Sequence, residues 1–186
     1  MSEENRKAIR ISVRNLVEFV LRSGDIDNRC SGNTQKDAML AGGRIHRKIQ
    51  KRMGSGYRAE VPLKHEVQDE EQEITLLVEG RADGIFAENG IPVIDEIKGM
   101  YTDISRLEEP IEVHLAQAMC YGYFYCCDKD LDGIRLQMTY CNLETEKIKR
   151  FQTDRSREEL ETWFSGVVHE YFKWARYLYH HELIRD

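Results

Sequence analysis

In the run VEGRADGIFAENGIPVIDEIKG, Asp83 lies on one side of the pair Asn89-Gly90, and Asp95, Glu96 and Lys98 lie on the other. If the flanking runs are strands, side chains alternate, so Glu96 and Lys98 share one face while Asp95 and Ile97 take the opposite one. Asp95 is therefore the poorer ligand candidate. Val93, Ile94 and Ile97 are typical of a central strand, and charges placed among them are costly unless they pair or hold a metal. Asp83, Glu96 and the backbone carbonyl of Ile97 are hard oxygen donors of the kind that Mg²⁺ or Mn²⁺ prefers, with positions left over for water and a phosphate oxygen. A cation held there polarises a phosphodiester and lowers the pKa of an attacking water. Lys98 would then orient the nucleophile or offset the charge growing on the phosphorane. The competing reading is a plain Glu96–Lys98 pair on a solvated sheet edge.

These residues need elements that hold them. Ser12 reads as an N-cap for a helix over 12–23 carrying Val13, Leu16, Val17 and Val20, stopped by Gly24, with loop over 24–33. A second helix is expected from Thr34 to Met53, ended by Gly54 and Gly56, with Ala38, Ile45 and Ile49 facing inward. The period then changes to two, and strands are expected over 57–67, 73–87 and 91–99, the last two joined by Asn89-Gly90 as a type I′ turn. A helix from Glu109 to Cys127, with Pro110 in its first turn, precedes strands over 133–142 and 146–153. Ser156 and Glu159 open a final helix over 156–182, whose apolar stripe reads Trp163, Val167, Tyr171, Trp174, Leu178. This order predicts an α/β fold, an α+β mixed sheet flanked by helices, in one domain over 1–186 with its core at about 34–153.

Composition narrows the function classes. At 186 residues, with 41% apolar and 32% charged residues, the chain has the profile of an ordinary globular domain. No run approaches the roughly 20 apolar residues of a bilayer span, and MSEENRKAIR has no apolar stretch after its charges, so a cytoplasmic chain without membrane contact is expected. The five cysteines, an odd number, are expected to be reduced and mostly packed in the core. A net charge of −6 argues against a protein that coats nucleic acid. Yet RIHRKIQKRMGSGYR carries Arg44, Arg47, Lys48, Lys51, Arg52 and Arg58 with no acid, which is either a phosphate-facing surface or a solvated helix face.

Asp83 followed by Glu96-Ile97-Lys98 at the end of an apolar strand resembles the PD-(D/E)XK nuclease superfamily. Gly43-Arg44-Ile45-His46 before the sheet and Gln117-Ala118-Met119-Cys120-Tyr121 after it are similar to the Gly-x-x-His and Gln-x-x-x-Tyr elements of its RecB-like exonuclease branch. The resemblance implies a restriction-endonuclease-like core and a metal site of His46, Asp83, Glu96 and the Ile97 carbonyl. It also implies chemistry by Asp83, Glu96 and Lys98, and a nucleic-acid path along Gln117, Tyr121 and the basic Arg44, Arg47, Lys48 and Lys51. The expected activity is Mg²⁺- or Mn²⁺-dependent cleavage of DNA, as an exonuclease in repair or recombination. The alternative is a non-catalytic module with the same fold that binds DNA or a helicase. From the residues alone, His46 also reads as a satisfied core histidine, and Tyr121, Tyr123 and Tyr125 as core aromatics.

Some relatives carry an iron-sulphur cluster on one cysteine before the core and three after it. Here Cys30 has no following trio, because no cysteine comes after Cys141, so no iron-sulphur cluster is expected. SVRNLVEFVLRSGDID and QMTYCNLETEKIKRF resemble the nuclease-like region ahead of bacterial DinG-type helicases, which implies a helicase partner in cis or in trans. No GxxxxGK[ST] run occurs, so no ATP hydrolysis is expected of these residues.

Overall fold

The computed structural model describes residues 6–21, 32–71 and 73–185, with the side chains of 32–38 and 183–185 outside that description. Most of the expected loop over 24–33, the end of the first helix, Cys30 and the Ala38 side chain therefore lie outside the described residues. Among the described residues the order is β1 (Lys7–Ser12), α1 (Val13–Leu21), α2 (Gly32–Arg52), β2 (Arg58–Gln68), β3 (Ile74–Glu88) and β4 (Ile91–Met100). A short 3-10 turn (Ile104–Arg106) leads to α3 (Glu112–Lys129), β5 (Gly133–Asn142), β6 (Ile148–Ser156) and α4 (Arg157–Arg185). The fold is mixed α/β, with a six-stranded mixed sheet and four flanking helices among these residues.

The position of β3 organises the sheet. Its 15 residues pair antiparallel with β2 along one edge, from Arg58↔Ile85 to Gln68↔Thr75. On the other edge two strands follow one another. β1 pairs parallel over Ile74 to Glu79, and β4 pairs antiparallel from Gly84 to Glu88. Residues 80–83 lie between these two ladders. β4 then continues past its last β3 partner, Asp95↔Gly84, and runs parallel to β5 as far as Met100↔Asn142, with β6 antiparallel beyond.

Helices cover the two faces unequally. α1, α3 and α4 pack on one face around Leu16, Ile74, Leu76, Ile94, Phe124, Met138 and Leu160. On the opposite face α2 sets Ile45 and Ile49 against Ile97 and Cys141. This face-splitting alternation along β4 is the one the sequence predicts: Ile94 belongs to the first cluster and Ile97 to the second.

Turn and cap chemistry account for the element ends. Asn89 and Gly90 have φ of 51° and 80°, as a type I′ hairpin requires. Ser12 Oγ accepts from the Asn15 amide and Ser156 Oγ from the Glu159 amide, each at 3.0 Å, so both expected N-caps form. Three expectations are corrected. A strand, β1, precedes α1; its parallel partner lies more than sixty residues later, which local patterning does not reveal. α3 begins at Glu112 rather than Glu109, leaving Pro110 outside, because Ile111 serves as N-cap and its amide donates to the Tyr140 hydroxyl at 3.0 Å. The buried stripe of α4 is Leu160, Phe164, Val168, Phe172 and Ala175 along with Val167 and Tyr171, while Trp174 and Leu178 of the predicted stripe are exposed.

His65 of β2 stacks on Phe124 at 5.4 Å between ring centres, with Tyr123 and Phe164 edge-on. Burial lowers its pKa below the ordinary histidine value, opposed by Asp128 and Glu161. A histidine kept neutral in the fold contributes stability that is intact above its unfolded pKa, about 6.5, and is lost as pH falls towards the depressed folded value. Denaturant melts between pH 7.5 and 5 are expected to show falling stability in wild type and a shallower fall in His65→Phe.

Candidate active site

Asp83 sits where β3 changes neighbours, next to the last pair it makes with β4. Opposite it on β2, Glu60 has a φ of 54°, a backbone state that non-glycine residues rarely adopt. Asp83 Oδ2 accepts from the Ile97 amide at 2.7 Å, so the carboxylate spans the opening between the diverging strands. This bond brings Asp83 beside Glu96 even though the two residues are not ladder partners. His46 of α2 approaches from the other side, its Nδ1 3.5 Å from Asp83 Oδ1.

Glu96 and Lys98 project towards α3. Lys98 Nζ donates to Gln117 Oε1 at 2.7 Å and lies 3.4 Å from Glu96 Oε1. Glu96 Oε2 is buried and has no hydrogen-bond partner. Burial first, and then the negative charge of Asp83, raises the Glu96 pKa well above the ordinary carboxylate range, against the opposing pull of Lys98. An orphaned carboxylate oxygen beside a second carboxylate, with both residues over nine-tenths buried, is a place where a cation lowers the energy. The donor set fits Mg²⁺ or Mn²⁺, which commonly take one or two protein carboxylates and complete their shell with water and substrate oxygens. Among the described residues no three His, Cys, Asp or Glu side chains converge tightly enough to enclose an ion. The group is thus an open carboxylate pair with an imidazole behind it.

Comparison with solved structures bears on architecture. The chain resembles the crystal structure of SSO0001 with a TM-score of 0.55 at 17% identity, over 91% of this chain and 78% of that one. Neither a protein-family model nor a curated protein sequence matches. The likeness supports the fold alone.

The other site residues expected from sequence take particular places. Gln117 is buried, and its carbonyl oxygen is occupied by Lys98, so it holds the lysine rather than presenting an amide outward. Tyr121 is also buried, and its ring lies so close to Gly80 that a Cβ there would collide with the phenol oxygen. It fills the opening between β1 and β4 instead of standing free to stack. Arg44, Arg47, Lys48 and Lys51 are all exposed. Lys48, however, is bound to both carboxylate oxygens of Glu146 at 2.8 Å.

Residues that the sequence did not single out complete the frame. Gln50, one turn after His46, donates to the Asp83 carbonyl and to Glu60 Oε1, each at 2.9 Å. Tyr57 lies across Gly84, where an added Cβ would meet its ring at 1.8 Å. Its hydroxyl donates to Asp95 Oδ2 at 2.7 Å. Asp95 is fully buried on the α2 face, as alternation predicts, and its other oxygen accepts from Thr139 at 2.6 Å and Gln137 at 3.2 Å. Gly84 and Asp95 are direct ladder partners, and each adjoins one carboxylate of the site. Tyr57 thereby braces both strands from behind. A signal for this was present in a charged residue amid Val93, Ile94 and Ile97, but its partners come from elements that only the fold brings near.

Tyr57→Phe keeps the ring and strips Asp95 of one donor. Equilibrium urea denaturation is expected to show a loss of about 1–3 kcal/mol, and an unchanged midpoint would contradict the brace.

Proposed function

We propose that this chain is a divalent-metal-dependent nuclease of the PD-(D/E)XK type, with a restriction-endonuclease-like core, that hydrolyses phosphodiester bonds in DNA. The observation that carries the reading is the buried, unpartnered Glu96 Oε2 beside Asp83, with Lys98 on the neighbouring oxygen. Asp69 Oδ2, buried 3.8 Å from Arg176, is also without a hydrogen bond, so what sets Glu96 apart is the second buried carboxylate, Asp83, beside it, which a purely structural pair with Lys98 does not explain.

Asp83, Glu96 and the Ile97 carbonyl would hold Mg²⁺ or Mn²⁺, with His46 beside Asp83. When bound, the cation supplies Lewis acidity towards a phosphate oxygen and lowers the pKa of a water. The protein's own groups do the rest. The Ile97 amide fixes one Asp83 oxygen so that the carboxylate is directed before substrate arrives. Lys98, steered by Gln117, places its ammonium next to Glu96, where it can hold the nucleophilic water and stabilise negative charge as it grows on the phosphorus oxygens. Burial of Gln117 and Tyr121 keeps bulk water from screening that charge.

Exonucleolytic action in repair or recombination, with a helicase partner in cis or trans, is the biological setting we propose, on the strength of the sequence resemblance. Its test begins with end-labelled single-stranded and duplex DNA incubated with Mg²⁺, Mn²⁺ or EDTA. Cleavage is expected with either metal and not with EDTA, and Lys98→Ala is expected to lower the rate by about 10²–10³-fold. No cleavage of any substrate with either metal would overturn the catalytic reading in favour of a nucleic-acid- or helicase-binding module.

A further inference from the structure

The cations of α2 do not lie on one side of the helix. At about 100° per residue, taking His46 as zero, Arg47 stands near 100°, Lys51 and Arg44 near 140–160°, Lys48 near 200° and Arg52 near 240°. Ile45 and Ile49, which face the sheet, complete the circle. His46 and Gln50 flank the candidate site on the β3 side. Lys48 and Arg52 lean the opposite way, towards β5 and β6, where Lys48 meets Glu146 and both cations act on Cys141.

On that far flank β6 adds a cation. Arg150 acts on Cys141 together with Lys48 and Arg52, and its guanidinium reaches Met53 Sδ, just past the end of α2, at 3.9 Å. Arg150 is exposed, and among the described residues neither it nor Arg44, Arg47, Lys51 or Arg52 has an ion-pair partner. Five cations here, Arg44, Arg47, Lys51, Arg52 and Arg150, are thus unpaired while Lys48 among them is held by Glu146, and in a chain of net charge −6 such water-exposed like charges repel unless an anion covers them.

We propose that these cations form a track that carries one nucleic-acid strand from the Asp83–Glu96 site over the outer side of α2 to Arg52 and Arg150. The proposal rests on the nuclease reading and adds the form of the substrate. Around a helix of about 10–12 Å diameter, the arc from His46 to Arg52 measures roughly 20–25 Å, which spans on the order of three or four phosphates of an extended single strand, whose spacing is about twice the 3.4 Å rise per nucleotide of a duplex. A single strand follows such a curve. A duplex, stiff over about 150 base pairs, touches the outermost cations but does not wrap down to Arg52 and Arg150.

Fluorescence anisotropy in EDTA tests this without cleavage, using labelled single strands of about two and about fifteen nucleotides and a duplex of about fifteen base pairs. The proteins are wild type, Arg52→Glu/Arg150→Glu, and Arg14→Glu/Lys173→Glu, which makes the same change in net charge on α1 and α4 across the sheet. The Arg52/Arg150 variant is expected to bind the longer single strand about ten-fold or more weakly, with a salt slope reduced by about 1.4. Its binding to the two-nucleotide strand and the duplex is expected to match the control variant. Equal weakening in the control, equal weakening on duplex, unchanged affinity for the longer strand, or no binding by wild type would each overturn the track. Should the charge reversal prevent folding, Arg150→Ala is measured in its place, with half the change in slope expected. Loss of cleavage with the track intact would count against the nuclease reading alone, since these measurements use no metal.

Discussion

The structure turns on how β3 is shared. Because one edge of this strand is divided between β1 and β4, residues 80–83 pass an opening in the sheet. An opening in a sheet is costly, since backbone groups there lose their ladder partners. Here side chains make up part of the loss: Asp83 accepts from the Ile97 amide, and Gln50 donates to the Asp83 carbonyl. The same repair sets two carboxylates side by side in a buried place. Strand divergence, backbone satisfaction and a buried carboxylate pair are thus one feature.

Everything near the opening acts to keep it in shape. From α2, Gln50 ties the Asp83 carbonyl to Glu60, whose positive φ lets β2 follow the bend. From behind, Tyr57 spans Gly84 and Asp95, and Asp95 reaches on to Thr139 and Gln137 of β5. On the front, Gln117 fixes Lys98. A site that must hold like charges together needs such bracing, because mutual repulsion would otherwise separate the strands that carry them.

Much of this could be read from sequence, and the parts that could not have physical reasons. The Asn89-Gly90 turn, the alternation along β4 and the serine caps depend on neighbours a few residues away, and all three form as expected. β1 escaped because a six-residue parallel strand is defined by a distant partner. The α4 stripe was rotated because apolar residues cover much of that helix, and spacing alone fits two faces. At the site, Asp83, Glu96 and Lys98 do come together and His46 does approach. Gln117 and Tyr121, which the resemblance sets along a nucleic-acid path, are both buried, Gln117 holding Lys98 and Tyr121 lying against Gly80 in keeping with its reading as a core aromatic. Tyr57 and Gln50 gave no motif. Their roles depend on cross-strand register, which no local pattern encodes.

The claim at the centre is that Asp83 and Glu96 form a cation site rather than a structural acid pair. Isothermal titration of Mn²⁺ into wild type and into Asp83→Asn and Glu96→Gln, with folding checked by circular dichroism, tests it most directly. The account predicts one saturable Mn²⁺ site in wild type, weakened about ten-fold or more in each variant while the fold persists. Titration curves that are the same for all three proteins would contradict it.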